Sequence, residues 1–216
     1  MALATYDDLK AAIGAWNMDR SDLPAADLIA LAEARLNRDL RLRAMETEAA
    51  LAATVGSRTI PLPAGFLEPI GLFIERASGR QALRFVPAGM ETSAAAGEPL
   101  YWTVDGEELA FERPADQAYG LTLRMLERFA LSDAAPTNWL LTNWPDAYLA
   151  AANIEAALYL LDDAQAARWQ SRYAEVLTEI NAKEHRARAL ATLGVDAALS
   201  ARAMSTGSAF NIARGY

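Results

Sequence analysis

The chain offers few residues for chemistry. It has one histidine, His185, and no cysteine. His185 stands among Lys183, Glu184, Arg186 and Arg188, a setting that favours a solvated side chain over a general base. A single histidine cannot supply a two-histidine metal site, and without cysteine there is neither a disulfide nor a thiolate-zinc centre. Asp162 and Asp163 are adjacent acids that could serve as an acid/base pair or as metal ligands. Consecutive helical residues, however, point about 100° apart, and two acids there suit a helix start, where the helix dipole favours negative charge. Ser132, Asp133 and His185 have the types of a nucleophilic triad, but nothing in their spacing assembles one. The GxSxG, P-loop, GxGxxG and HExxH spacings are all absent. No catalytic residue, metal or cofactor is expected, and hence no enzyme.

The remaining candidates are aromatic. The triplet TNW occurs at Thr137–Trp139 and again at Thr142–Trp144. Trp139 and Trp144 could bind a ligand such as a sugar, but aromatics at a strand-to-helix junction more often close a core. Trp102 lies in the stretch WTVDGEELAF, which reads first as a hairpin. Its edge could also accept a strand from a partner.

The elements that would position these residues follow from periodicity. Thr5 and Asp8 form a capping box, followed by Leu9, Ile13 and Trp16 at helical spacing. Pro24 suits the first turn of a second helix, in which Ile29, Ala32, Leu36 and Leu40 make one stripe and Glu33, Arg35, Asn37, Arg38 and Asp39 fall largely away from it. Arg35 and Asp39 form an i,i+4 pair. From about residue 44 to 130 the pattern becomes short strands with turn residues between them. Ile70, Leu72 and Ile74 share one face, as do Leu121, Leu123 and Met125, and Asp105-Gly106 marks a two-residue hairpin. The stretch PAGMETSAAAGEP reads as a loop with a short helix.

Helix returns after Pro136. Pro145 opens a helix with Ala147, Ala151, Ile154, Leu158 and Leu161 on one face and an opposite face scarcely more polar, the mark of a central helix. A further helix begins at Asp162-Asp163 and carries Ala166, Trp169, Tyr173, Val176 and Ile180. Its stripe lapses at residues 181–188. The fold expected is α+β: a helical bundle of about four main helices (1–43 and 132–190), an inserted small antiparallel β domain, sandwich or open barrel (44–131), and a flexible C-terminal tail (191–216).

Composition narrows the function. Hydrophobic residues make up 53% of the 216, enough for a sizeable core. The formal net charge of −8 argues against tight binding to DNA or to an anionic membrane. It does not argue against DNA sliding past an acidic wall.

Several stretches together resemble the adaptor (head-to-tail connector) family of tailed bacteriophages. They are LIALAEARLNRDLR at 28–41, LPAGFLE at 62–68, LYWTVDGEELAF at 100–111, and the TNW stretch followed by IEAALYLLDDAQAARWQSRYAEVLTEI. The resemblance spans residues 5–182. It implies a structural protein of the virion neck, made in the host cytoplasm and assembled as a ring, commonly of twelve copies, beneath the portal protein. Its β part would hold a tail nozzle or tail-terminator protein, and DNA would pass through without sequence-specific contacts. On that reading the tail docks into the portal through Phe210, Ile212, Arg214 and Tyr216, and Trp139 and Trp144 pin a structural junction. The alternatives are another neck or tail-completion protein, a small acid/base hydrolase using Asp162 and Asp163, and a carbohydrate-binding module using Trp102 or Trp139.

Overall fold

The computed structural model describes residues 3–87 and 89–206, with side-chain surroundings described up to residue 187. Two helices open the chain, α1 (Tyr6–Trp16) and α2 (Ala25–Asp39). A single 3-10 turn, Arg43–Met45, leads into eight strands: β1 (Glu46–Ala53), β2 (Thr59–Pro61), β3 (Phe66–Arg76), β4 (Gly79–Ala82), β5 (Arg84–Phe85), β6 (Tyr101–Asp105), β7 (Glu108–Phe111) and β8 (Tyr119–Glu127). Three helices follow, α3 (Trp139–Asn143), α4 (Pro145–Tyr159) and α5 (Asp163–Thr206).

This is not a four-helix bundle carrying one small antiparallel insert. The described residues form five helices and two four-stranded sheets, ordered β1-β8-β3-β4 and β2-β7-β6-β5. The β5–β6 pairing is parallel, so the second sheet is mixed. The shortest strands leave little trace in the sequence, for a physical reason. β2, β4 and β5 are only three, four and two residues long. All residues of β4 and β5 are exposed, so these two strands leave no alternating pattern to read. Among the described residues of 86–100 no short helix forms.

The chain crosses between the sheets at both edges. At one seam Val55 bridges Ala115, and the Gly56 N–H donates to the Ala115 carbonyl at 2.8 Å. At the other, Leu83 is the single residue between β4 and β5. Its N–H donates to the Leu72 carbonyl at 2.8 Å, while its own carbonyl accepts the indole N–H of Trp102 at 3.2 Å. Leu83 is therefore bonded to both sheets. Between them lies a core of Leu72, Ile74, Trp102, Leu109, Phe111, Leu121, Leu123 and Met125, among others. Across the solvent face of the first sheet, the Arg80 guanidinium donates to Glu48 on β1 and to Glu75 on β3, both at 3.0 Å.

One expected strand face is broken. Leu72 and Ile74 are fully buried, but Ile70 is 47% exposed. The β3–β8 register shifts between Pro69 and Gly71; this bulge inserts an extra residue and turns Ile70 outward.

The helices make a second, larger core. The Thr5–Asp8 capping box forms in full at the start of α1, and Pro145 is the first residue of α4. Leu9 and Ile13 are buried, as are Ile29, Ala32, Leu36 and Leu40 of α2. α4 is the central helix, with Ala147 to Ile154 buried without interruption. Its alanines let α1, α2 and α5 approach closely. Within this apolar packing, the Asn17 amide donates to Asn153 Oδ1 at 2.7 Å, and the Asn153 amide donates to the Leu149 carbonyl at 2.9 Å. A slip of α1 along α4 would leave the buried Asn153 Oδ1 without its donor, while the bonds of Asn17 to Ile13 and of Asn153 to Leu149 stay within their own helices; the cross-helix bond therefore favours one register. Helix α5 runs through the segment where its stripe lapses and ends at Thr206, 44 residues in all. At 1.5 Å per residue it is about 66 Å long.

Trp102 is 1% exposed. Its replacement by alanine is expected to lower stability by about 3–5 kcal/mol. Trp102→Phe, which keeps most of the volume but loses the bond to Leu83, is expected to cost about 1 kcal/mol. Urea denaturation followed by circular dichroism measures both.

Candidate functional site

The residues considered for catalysis are not brought together. His185 is exposed on α5. Asp162 precedes that helix, and its Oδ1 accepts the Gln165 N–H at 2.9 Å, the helix-start role. The Ser132 hydroxyl accepts the Ala135 N–H at 3.0 Å, and Asp133 takes a contact from the Lys10 ammonium at 3.3 Å. Among the described residues no three histidines, cysteines or acids cluster so as to hold a metal ion, and no helix is long and apolar enough to cross a membrane. Trp102 is buried, so it offers no surface for a sugar to stack on. The WTVDGEELAF hairpin is flanked by β2 along β7 and by β5 at Tyr101 and Trp102 of β6.

The most developed polar site lies where the chain leaves β8 and rejoins the helices. Glu33 and Asn37 lie one turn apart on α2 and are 7% and 8% exposed, although each is polar and sits at the margin of the apolar stripe. The Asn37 amide donates to the Phe129 carbonyl at 2.9 Å, and its Oδ1 accepts the Phe129 N–H at 3.2 Å. Glu33 Oε1 accepts the Leu131 N–H at 2.6 Å and the Tyr148 hydroxyl at 3.0 Å. The Tyr148 oxygen in turn accepts the Asn138 amide at 2.6 Å, while Asn138 Oδ1 caps α3 by accepting the Leu141 N–H at 2.8 Å. A buried backbone with no sheet or helix partner must be satisfied by side chains, and here α2 supplies them.

Aromatic packing surrounds this network. The Phe129 ring meets Trp139 edge-on at 5.3 Å and Tyr148 at 6.2 Å. Trp139 and Trp144 are half-buried and pack against the helical core. Trp144 lies between α3 and α4: its N–H donates to the Leu140 carbonyl at 2.7 Å, and its carbonyl accepts the Ala147 N–H at 3.0 Å. The Lys183 ammonium stands 5.2 Å from the centre of its ring. The two TNW triplets differ in role, since Asn138 caps the start of α3 whereas Asn143 donates back to the Trp139 carbonyl at 2.7 Å. Residues Phe210, Ile212, Arg214 and Tyr216 lie outside the described residues.

Other pairings also differ from the expected ones. Arg35 does not bond Asp39; it reaches across to Glu155 of α4 at 2.6 Å, and Asp39 accepts the Tyr173 hydroxyl from α5 at 2.8 Å. The spacing of Glu33 and Asn37, four residues apart beside Ile29, Leu36 and Leu40, is the signal that could have placed them inside. Their polarity masked it.

Burial pushes the Glu33 carboxyl up to about 7, against the opposing pull of the Leu131 N–H and the Tyr148 hydroxyl. Burial, with the Glu33 charge beside it, also raises the Tyr148 phenol. A carboxyl raised on folding contributes stability below its ordinary value of 4.5, and that contribution is lost as pH rises through about 7. The loss is on the order of 3 kcal/mol, at about 1.4 kcal/mol for each pH unit between the two values. Glu33→Gln keeps an acceptor for Leu131 and Tyr148 without the charge. It is expected to match the parent at acid pH and to exceed it above neutrality, as measured by urea midpoints across that range.

A search of the curated proteins found no match to the chain. The family model described as SU10 adaptor protein matches residues 4–196, which takes in α1, all eight strands, the Glu33–Asn37 junction and both TNW triplets. The chain belongs to the SU10 adaptor protein family.

Proposed function

We propose that this bacteriophage structural adaptor works as one subunit of a ring, commonly of twelve copies, that joins the portal protein to the tail and lines part of the DNA channel. The observation that carries the reading is the pairing of two separately cored halves through one polar junction. Each half can present its own surface to a different assembly while the junction holds their relative position. In this proposal the helices face the portal and neighbouring copies, and the sheets hold a nozzle or tail-terminator protein. Trp139 and Trp144 pin the joint.

The charge supports passage rather than capture of DNA. At −8 per chain, a closed ring surrounds its channel with strongly acidic protein, which disfavours adhesion of phosphates. α5 supports the portal contact in another way. It extends to Thr206, well beyond Ile180, its last buried residue among the described side chains. The proposed portal-binding residues Phe210, Ile212, Arg214 and Tyr216 come after Thr206 in the sequence.

Removal of residues 207–216 is expected to abolish co-sedimentation with the portal protein and to leave the melting temperature unchanged. Undiminished binding overturns the proposed role of the tail. Imaging the full-length chain on its portal tests the ring. Twelve copies are expected, whereas six copies on a tail assembly would identify a tail-completion protein instead.

A further inference from the structure

The C-terminal end of α1 meets the first turns of α5. Trp16, which helical spacing would bury, is 58% exposed there and stands edge-on to Trp169 with ring centres 5.4 Å apart. Together with Gln165, Arg168 and Arg172 these indoles line an open groove of about 340 Å³. Arg168 is exposed and forms no hydrogen bond or ion pair among the described residues. Arg172 makes only long contacts, 3.3 Å to Asp146 and 3.3 Å to Glu175. On a chain of net charge −8, the groove pairs two guanidinium groups with two aromatic faces.

The complementary surface is on the same chain. The β6–β7 turn carries Asp105, Gly106, Glu107 and Glu108, all exposed, and none of its three carboxylates enters an ion pair among the described residues. Gly106 has φ +60° and no side chain, so the backbone of the turn can lie flat on an indole while the acids reach the arginines. Within one chain the two surfaces do not meet: Asp105, Gly106, Glu107 and Glu108 are all exposed, and the ion pairs of Arg172 go to Asp146 and Glu175 rather than to the turn.

We propose that the acidic β6–β7 turn of one copy docks into the Trp16–Trp169–Arg168 groove of the next. The contact is heterologous: two different patches meet, each copy offers one of each, and repetition closes a ring or extends a chain. It deepens the ring reading by naming the faces that touch. A single such contact is small and its ion pairs are exposed, so each is weak. Linkage of many copies around a template multiplies the effect, and assembly is thereby favoured on the portal over free solution.

The absence of cysteine makes the test direct. Glu107→Cys and Arg168→Cys are combined in one chain, which is oxidised with copper-phenanthroline at high protein concentration and again after mixing with the portal protein. A ladder of covalent oligomers that collapses on reduction is expected, while each single substitution stops at dimers. No ladder from the combined pair overturns the contact. An equal ladder from Glu107→Cys combined with Arg38→Cys, an exposed position on α2, shows random collision and overturns it too. Rings on the portal without cross-links leave the ring reading standing and reject this surface; a ladder without portal-bound rings does the reverse.

Discussion

The structure depends on one constraint: on leaving β8 the chain buries Phe129 and Leu131, whose backbone groups bond to side chains of α2 rather than to a sheet or helix ladder. Phe129 and Leu131 would otherwise leave polar groups unpaired at the point where two cores meet, at a cost of roughly 1–3 kcal/mol each. Glu33 and Asn37 remove that cost from α2, and Tyr148 and Asn138 tie the same network to α4 and α3. Residues from both ends of the helical half therefore hold one strand exit. The position of the sheets relative to the helices is set by directional bonds as well as by contact area.

The two halves achieve rigidity differently. In the helical half, the small side chains of α4 permit close approach, and the Asn17–Asn153 pair penalises sliding. In the sheet half, the chain crosses from one sheet to the other at both edges, and Leu83 bonds to each. Arg80 adds an exposed strap between β4, β3 and β1, worth little in energy. Two cored halves tied by directional bonds suit a protein of an adaptor family, which links other virion proteins.

The buried carboxylate also has a cost. Its raised pKa means that Glu33 opposes folding at neutral pH by comparison with a neutral isostere. Its value lies in geometry, since one oxygen accepts from the backbone of the strand exit and from the Tyr148 hydroxyl of the central helix at the same time.

The sequence by itself determined the helix starts at Thr5 and Pro145, the stripes of α2 and α5, the buried faces of β8 and the β6–β7 hairpin. These are set by neighbours a few residues apart, through capping, ring closure and periodic burial. It also carried the family resemblance. Only the tertiary structure decided the rest. Glu33 and Asn37 go inside because the strand exit needs donors and acceptors there, a demand that arises 92 and 98 residues along the chain. Ile70 turns outward because its partner strand forces a bulge. Arg35 ignores Asp39 because Glu155 arrives from α4. The short strands β2, β4 and β5 exist only because longer strands offer them an edge, so the eight-stranded pair of sheets was invisible where a small insert was expected. Local pattern fixes an element when its neighbours in sequence are also its neighbours in space; wherever the partner lies far along the chain, packing decides.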